Sequence, residues 1–222
     1  MVIVLLGAPG AGKGTQAPII GQRLGVPILG SGDLLRAVAA ADSPLGREVG
    51  AIMRSGALVP AETIVRIFLE RLCRPDAKDG AILDGFPRTV AQARALDAAL
   101  AEAGSGVTAA ILIDVPWEEL IGRMTDRLIC RAGGHVYNLH SKPPARPGIC
   151  DIDGSELYSR VDDEEATVRA RMAQQLGPLA DVVAHYREAG VLRTVDGRLP
   201  IDGVTAAVLD ALPGARPGIA AS

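Results

Sequence analysis

The chain has 222 residues, 48% of them hydrophobic, and a formal net charge of −3. That length supports one substantial core with small inserted subdomains, while mild acidity and an aromatic content of 3% exclude general nucleic-acid binding and base-stacking platforms. No stretch of about 18 uncharged apolar residues exists, so no membrane span is expected, and three cysteines form no even disulfide framework, which points to a cytoplasmic protein.

VIVLL (2–6) is a continuous apolar run of strand length and predicts a buried parallel strand. It lacks a basic n-region and leads directly into GAPGAGKGT, so a signal peptide is not expected. A helical pattern follows from about 14 to 24, then VPIL (26–29) as a short extended piece. SGDLLRAVAAA opens with cap-like Ser31 and Asp33 and continues as helix. In SPLGREVGAIMRSG, Ser43 is the cap, Pro44 takes the first turn and Gly56 is the stop. PAETIVRIFLERLCRP repeats that logic and ends at Pro75, with Cys73 reading as a small core residue. AILD (81–84) predicts a strand, followed by the loop GFPR and a helix from Thr89 to about Ala103. TAAILIDV (108–115) is the next strand, and WEELIGRMTDRLICR reads as one helix. Across 130–160 long apolar runs vanish and Gly, Pro and His rise. Helical periodicity returns from Asp162 to about Arg187, VLRTVDG (191–197) is the last strand, VTAAVLDAL the last helix, and PGARPGIAAS a frayed tail.

Strands alternating with helices predict an α/β fold: a parallel five-stranded sheet covered by helices on both faces. Ligands of such sheets sit beyond the carboxyl ends of the strands, so the chemistry is expected after residues 6, 84, 115 and 195.

Gly7, Gly12 and Lys13 fit G-x-x-x-x-G-K between a strand and a helix, the context that this motif requires. Glycines let backbone N–H groups turn inward around phosphate oxygens, the helix N-terminus adds about half a positive charge, and Lys13 adds a full one. The position after the lysine, where a hydroxyl would hold Mg²⁺, is Gly14, with Thr15 next. This argues against a switch GTPase or motor ATPase and for small-molecule phosphoryl transfer, with Mg²⁺ held more by phosphates and water.

GAPGAGKGTQA, SGDLLR, LDGFPRT with Gln92, DRLI with VY, and SRVDDEEATVRARM, in this order and spacing, resemble the adenylate kinases from residue 1 to about 212. The resemblance implies a P-loop NTPase-type fold with inserted AMP-binding and lid subdomains. Residues 1–29, 60–126 and 164–222 would form the core, 30–59 the AMP-binding insert and 127–163 a long lid. It implies reversible transfer of the terminal phosphoryl of ATP to AMP, giving two ADP, with Mg²⁺ as cofactor, by a monomer needing no partner protein. The ATP loop would be Gly10, Ala11, Gly12, Lys13, Gly14 and Thr15, with Arg123, Arg127, Val136, Tyr137 and the Leu199 carbonyl also on ATP. AMP would meet Ser31, Arg36, Ala57, Leu58, Val59, Gly85, Phe86, Pro87, Arg88 and Gln92, while Arg160 and Arg171 contact the AMP and transferred phosphates and Asp84 holds the Mg²⁺ water shell.

Phosphoryl transfer needs alignment and positive charge more than covalent help. Lys13, Arg88, Arg127, Arg160 and Arg171 would be the catalytic cations, and the AMP phosphate is already an anionic nucleophile, so no general base is required. Arg123 also has the spacing of a helix salt bridge to Glu119, and 162–165 the place of helix N-terminal charges. The rival readings are a kinase for UMP or CMP and a non-catalytic nucleotide sensor. Gln92 favours adenine because its amide can read the base edge, and retention of every phosphate-binding cation counts against a sensor.

In zinc-bearing members the lid ligands form two C-x-x-C-like pairs, which fall here on Cys130, Gly133, Cys150 and Asp153. A structural zinc wants four ligands, and three remain. His135 could complete the set and His140 is an alternative; a Cys130–Cys150 disulfide is a further alternative that a reducing cytoplasm disfavours.

Overall fold

The computed structural model describes residues 1–55, 59–139, 142–159 and 163–213. In chain order its elements are β1 (Val2–Leu6), α1 (Lys13–Leu24), β2 (Ile28–Gly30), α2 (Ser31–Ala40), α3 (Pro44–Ser55), α4 (Ala61–Leu72), a 3-10 turn at Pro75–Ala77, β3 (Ala81–Asp84), α5 (Val90–Glu102), β4 (Val107–Asp114), α6 (Trp117–Thr125), β5 (Arg127–Cys130), β6 (Val136–Asn138), β7 (Leu157–Tyr158), α7 (Glu165–Glu188), β8 (Leu192–Asp196) and α8 (Ile201–Asp210). They form two compact units, Met1–Gly7 with Gly12–Asp114 and Pro178–Ser222, and Ala8–Ala11 with Val115–Gly177.

The first unit holds the five-stranded parallel sheet, in the order β2-β3-β1-β4-β8. All five residues of β1 are buried, as a central strand covered on both faces requires. Val2, Val4 and Leu6 pack into one cluster with Phe68 of α4, Leu96 of α5 and Tyr186 of α7. Alternation along the strand turns Ile3 and Leu5 to the opposite face, where α1 lies against β1, β3 and α8. Ser43 accepts from the Gly46 amide at 2.9 Å at the start of α3, as its cap position predicts. The Ser31 and Asp33 caps do not form: α2 starts directly after β2 with Gly30 as its uncapped first boundary. Ser31 is instead buried and accepts from Arg88, and Asp33 pairs with Arg36. Cys73 is exposed rather than in the core, because it is the residue beyond the last turn of α4, past the buried stripe Ile64–Phe68.

The second unit departs from the expected single helix over WEELIGRMTDRLICR. α6 stops at Thr125, where the Asp126 N–H turns back to the Gly122 and Met124 carbonyls, and RLIC becomes β5. Ile129 pairs with Val136 on one side and Tyr158 on the other, so strand pairing on both edges overrides the helical pattern. This sheet is antiparallel, in the order β6-β5-β7. Its buried cluster is small: Cys130, Tyr137, Cys150 and Leu157, with Leu128 packed against it. No helix among the described residues is long and apolar enough to cross a membrane.

Phe68 is fully buried and its ring stacks on Phe86 at 4.2 Å between centroids. Phe68→Ala is therefore expected to cost about 3–5 kcal/mol of unfolding free energy, whereas Cys73→Ser, at an exposed position, stays within about 0.5 kcal/mol; urea titrations of both variants check the contrast.

Candidate active site

The loop after β1 closes with a hydrogen bond from the Ala11 amide to the Ala8 carbonyl, and Gly12 caps α1 in the left-handed region at φ 99°. A residue with a Cβ adopts that conformation rarely, which accounts for glycine here. The Thr15 and Gln16 amides both turn to the Gly12 carbonyl at 3.0 Å, so the first turn of α1 is formed immediately after the loop. Lys13 Nζ donates to the Gly7 carbonyl at 2.5 Å, folding its chain back along the loop. Burial is the main influence on Lys13 and lowers it from 10.5 to about 8; Asp84 opposes that shift and Arg88 adds to it. An ammonium held this way gains from any anion that replaces lost water.

The other half of this charged cluster comes from β3. Asp84 pairs in register with Leu5 of β1 and Gly30 of β2, which places the ends of three parallel strands together. Burial raises the Asp84 carboxyl, and the charges of Lys13 and Arg88 pull it back down. Gly85 follows at φ 72°, where a Cβ would stand 2.9 Å from Ser31 Oγ, so a side chain there would wedge β2 from the loop. Phe86, anchored on Phe68, and a cis peptide to buried Pro87 deliver Arg88. Arg88 donates through Nε to the Gly85 carbonyl at 2.8 Å and through Nη2 to Ser31 Oγ at 3.2 Å. Thr89 caps α5 by accepting from the Gln92 amide, and the buried Gln92 side chain accepts from the Arg88 amide at 2.8 Å. That bond orients the Gln92 carboxamide and leaves its N–H groups without a partner among the described residues. On α2, Arg36 pairs with Asp33 at 2.6 Å, both exposed.

In the second unit, Arg127 is held by both carboxylate oxygens of fully buried Asp163, and Arg123 by Glu119 at 2.6 Å. Val136 is exposed and Tyr137 buried, its hydroxyl against Cys150 Sγ at 3.4 Å and accepting from the Asp151 amide at 2.8 Å. Cys130, His135, Cys150 and Asp153 converge, with one ligand atom from each within 4.8 Å of the others. Both thiols are free. Burial pushes the Cys130 thiol up, but hydrogen bonds from Ser155 and then from the Gly133 amide and His135 outweigh it and the contribution of Asp153, lowering the thiol to about 7. The Asp153 carboxyl is held below the usual carboxylate range, first by Cys130 and then by Ser155.

A glycine-rich loop and a cation-bearing strand end thus come together, and comparison with known proteins gives the chain a family. The family model described as adenylate kinase matches residues 5–191. An adenylate kinase of Moorella thermoacetica is 45% identical over 212 residues, covering 96% of this chain and 98% of the relative. One of Thermodesulfovibrio yellowstonii is 44% identical over 204 residues, covering 92% and 95%, and one of Staphylococcus aureus 43% identical over 212 residues, covering 96% and 99%. The chain belongs to the adenylate kinase family. It is a phosphotransferase, a nucleoside monophosphate kinase acting between ATP and AMP.

Of the residues that the resemblance to adenylate kinases singles out, Gly10–Thr15 form the loop and the first turn of α1. Ser31, Asp84, Gly85, Pro87, Arg88 and Gln92 meet at the ends of β2 and β3, and Phe86 turns away into the core. The Val59 side chain is likewise in the core, and Leu199 is 43% exposed. Ala57, Leu58, Arg160 and His140 lie outside the described residues, as does the side chain of Arg171. Sequence reasoning took Asp33 as cap-like and missed its pairing with Arg36, although a spacing of three is that of a helix ion pair. It read Asp163 as a helix-start charge; 36 positions from Arg127, no local pattern pairs the two.

Lys13 loses its proton in the ligand-free protein as pH rises through about 8, and a polyphosphate beside it restores the ordinary high value. ATP binding at pH ~8.5 is therefore expected to take up roughly two-thirds of a proton more than at pH ~7. Calorimetry in buffers of different ionisation enthalpy reads this directly, and equal uptake at the two pH values would show Lys13 charged throughout.

Proposed function

We propose that the enzyme moves the terminal phosphoryl of Mg²⁺-bound ATP to AMP by in-line transfer, with Lys13, Arg88, Arg127, Arg160 and Arg171 supplying the positive charge. The meeting of Lys13, Asp84 and Arg88 at the ends of β1 and β3 carries this reading. An AMP phosphate oxygen attacks the terminal phosphorus while its bond to the bridging oxygen breaks, so ADP leaves as a second ADP forms. The attacking oxygen carries no proton, and no side chain has to remove one. Guanidinium forks suit the task because each binds two phosphate oxygens. Mg²⁺ arrives with ATP and neutralises charge on its phosphates; Gly14 offers it no hydroxyl, and Asp84 is assigned to its water shell.

Ser31, Arg36, Gly85 and Arg88 are assigned to the AMP phosphate side, and Ala57, Leu58, Val59 and Gln92 to the adenine. The Arg88 amide fixes the Gln92 carbonyl, so the Gln92 N–H groups offer donors to an adenine ring nitrogen, which supports AMP over pyrimidine acceptors. Arg123, Arg127 and Val136 are assigned to ATP, with 30–59 as the AMP-binding insert and 127–163 as the segment that keeps water from the terminal phosphate. We read the enzyme as a cytoplasmic monomer, a setting that suits three free cysteines.

The same reading extends to a structural zinc in the segment 127–163, with Cys130, Cys150 and Asp153 as ligands. Two buried thiols and a carboxylate within 4.8 Å support it, beside a small antiparallel sheet whose buried cluster holds four residues. Such an ion would add folding energy and take no part in the transfer. Metal content is the check: under about a tenth of an equivalent, with no loss of stability on chelation, ends the zinc assignment.

Incubated with Mg²⁺ and ADP alone, the enzyme is expected to form ATP and AMP. Arg88→Ala should lower kcat about 10²–10³-fold at unchanged secondary structure. AMP, UMP, CMP and GMP compared as acceptors test the base: activity on UMP without activity on AMP would refute the assignment of Gln92.

A further inference from the structure

We propose that His135 is the fourth ligand of the zinc site, and that Gly133 is the residue that makes room for it; the inference rests on the structural-zinc reading above.

Residues 130–135 and 150–155 form two turns with one hydrogen-bond pattern. In the first, the Cys130 amide donates to the His135 carbonyl at 2.9 Å and the Gly134 amide to the Cys130 carbonyl at 3.0 Å. In the second, the Cys150 amide donates to the Ser155 carbonyl at 2.8 Å and the Gly154 amide to the Cys150 carbonyl at 2.9 Å. Gly134 and Gly154 occupy the same left-handed corner, at φ 67° and 71°. Cys130 thus corresponds to Cys150, Gly133 to Asp153, and His135 to Ser155. The second turn supplies a cysteine and, three residues on, a carboxylate. The first supplies a cysteine and, three residues on, no side chain.

The side chain at the fifth position after each cysteine reaches the opposite turn. Ser155 Oγ lies 2.9 Å from Cys130 Sγ. His135 Nδ1 lies 3.4 Å from Cys150 Sγ and 3.2 Å from Asp153 Oδ2. Cys130 Sγ in turn lies 3.0 Å from Asp153 Oδ2. Zinc at about 2.3 Å from sulfur and about 2.0–2.1 Å from nitrogen or oxygen sets tetrahedral edges of roughly 3.3–3.8 Å. The three measured separations, 3.0, 3.2 and 3.4 Å, lie close to those edges, and all four donors lie within 4.8 Å of one another, so a small inward movement would close the tetrahedron. The Gly133 amide donates to Cys130 Sγ at 3.2 Å, the support a thiolate ligand needs.

Gly133 and His135 exclude one another's alternatives. A Cβ at position 133 would stand 2.4 Å from His135 Cε1, 2.8 Å from Nδ1 and 2.9 Å from Asp153 Oδ2. The imidazole fills the space where a side chain at 133 would be. A ligand lost at the third position is replaced from the fifth, and glycine at the third is the condition for the replacement. The resulting set of two thiolates, one neutral imidazole and one carboxylate is closed, leaves no position for substrate, and leaves the site one charge negative around a divalent ion.

Zinc affinity, measured by competition with a chromophoric chelator, and the charge-transfer absorption of the Co²⁺-substituted protein test this. The wild type is expected to bind one equivalent in a tetrahedral two-thiolate site. His135→Ala should weaken zinc binding by more than the roughly 10–100-fold typical of losing an outer-shell partner. Gly133→Cys alone should gain nothing, because the new side chain and the imidazole collide. Gly133→Cys combined with His135→Ala should restore tight binding, with the Co²⁺ absorption rising to that of three thiolates, and it also guards against simple misfolding of the first variant. Wild-type affinity in His135→Ala would overturn the role of His135 while leaving the zinc reading in place. A wild type that binds no zinc would remove both, and leave the kinase activity unaffected.

Discussion

The parallel pairing of β1 with β3 is the constraint on which the phosphate chemistry depends. Its register sets Leu5 against Asp84, one residue short of the end of β1, and the neighbouring register sets Gly30 of β2 against the same aspartate. Three backbones therefore end at one level, and each hands its next residues to the site: Gly7 and the loop to Lys13, Ser31 at the start of α2, and Gly85 leading to Arg88. A slip of one residue would exchange the two buried faces of β1, setting its side chains against the wrong helices, and move Lys13 away from Asp84. The same pairing that hides Val2, Val4 and Leu6 in the core thus fixes the spacing of the charges.

Those charges carry a cost of burial that, on the proposed function, a bound phosphate group would relieve. Lys13 is stripped of water far enough to lower its ordinary value, and Arg88 adds to that effect. Asp84 offsets part of it but is itself raised by burial. A phosphate group bound beside Lys13 and Arg88 would add negative charge where burial works against the lysine's own positive charge. Stability and function pull in opposite directions at this point: neutral residues would fold with less penalty, yet would offer nothing to charge spread over phosphate oxygens.

Much of this was legible in the chain because the signals are local. The apolar run VIVLL, the spacing of Gly7, Gly12 and Lys13, and the strand-loop-helix of AILDGFPRT each lie within a dozen residues, and the structure places them as that pattern predicts. What escaped is non-local. RLIC takes strand form only because VYN and LY flank it in space, and nothing inside RLIC records that. Ser31 looked like a helix cap, since hydroxyls before helices usually are; Arg88, 57 positions away, claims it instead. The carboxylate that fixes Arg127 is one of several adjacent acids, and among the described ones burial sets Asp163 apart from exposed Glu164 and Glu165.

The small antiparallel unit shows the same limit in sharper form. A spacing rule written as C-x-x-C asks which residue stands three places after the cysteine, and at Gly133 it returns nothing. The physical requirement is different: a donor atom must reach the centre between two turns. The turn geometry lets residues at the third and the fifth positions point there, as Asp153 and Ser155 both do around Cys130. A rule of spacing and a rule of reach agree only while the third residue is the ligand. Once it is glycine, the backbone is unchanged, the space above it is empty, and the next inward-pointing side chain occupies it. The buried cluster around these turns holds only four residues, so a bound ion would add substantially to what fixes them. That contribution explains why the position lost in one place is filled two residues on instead of being left to drift.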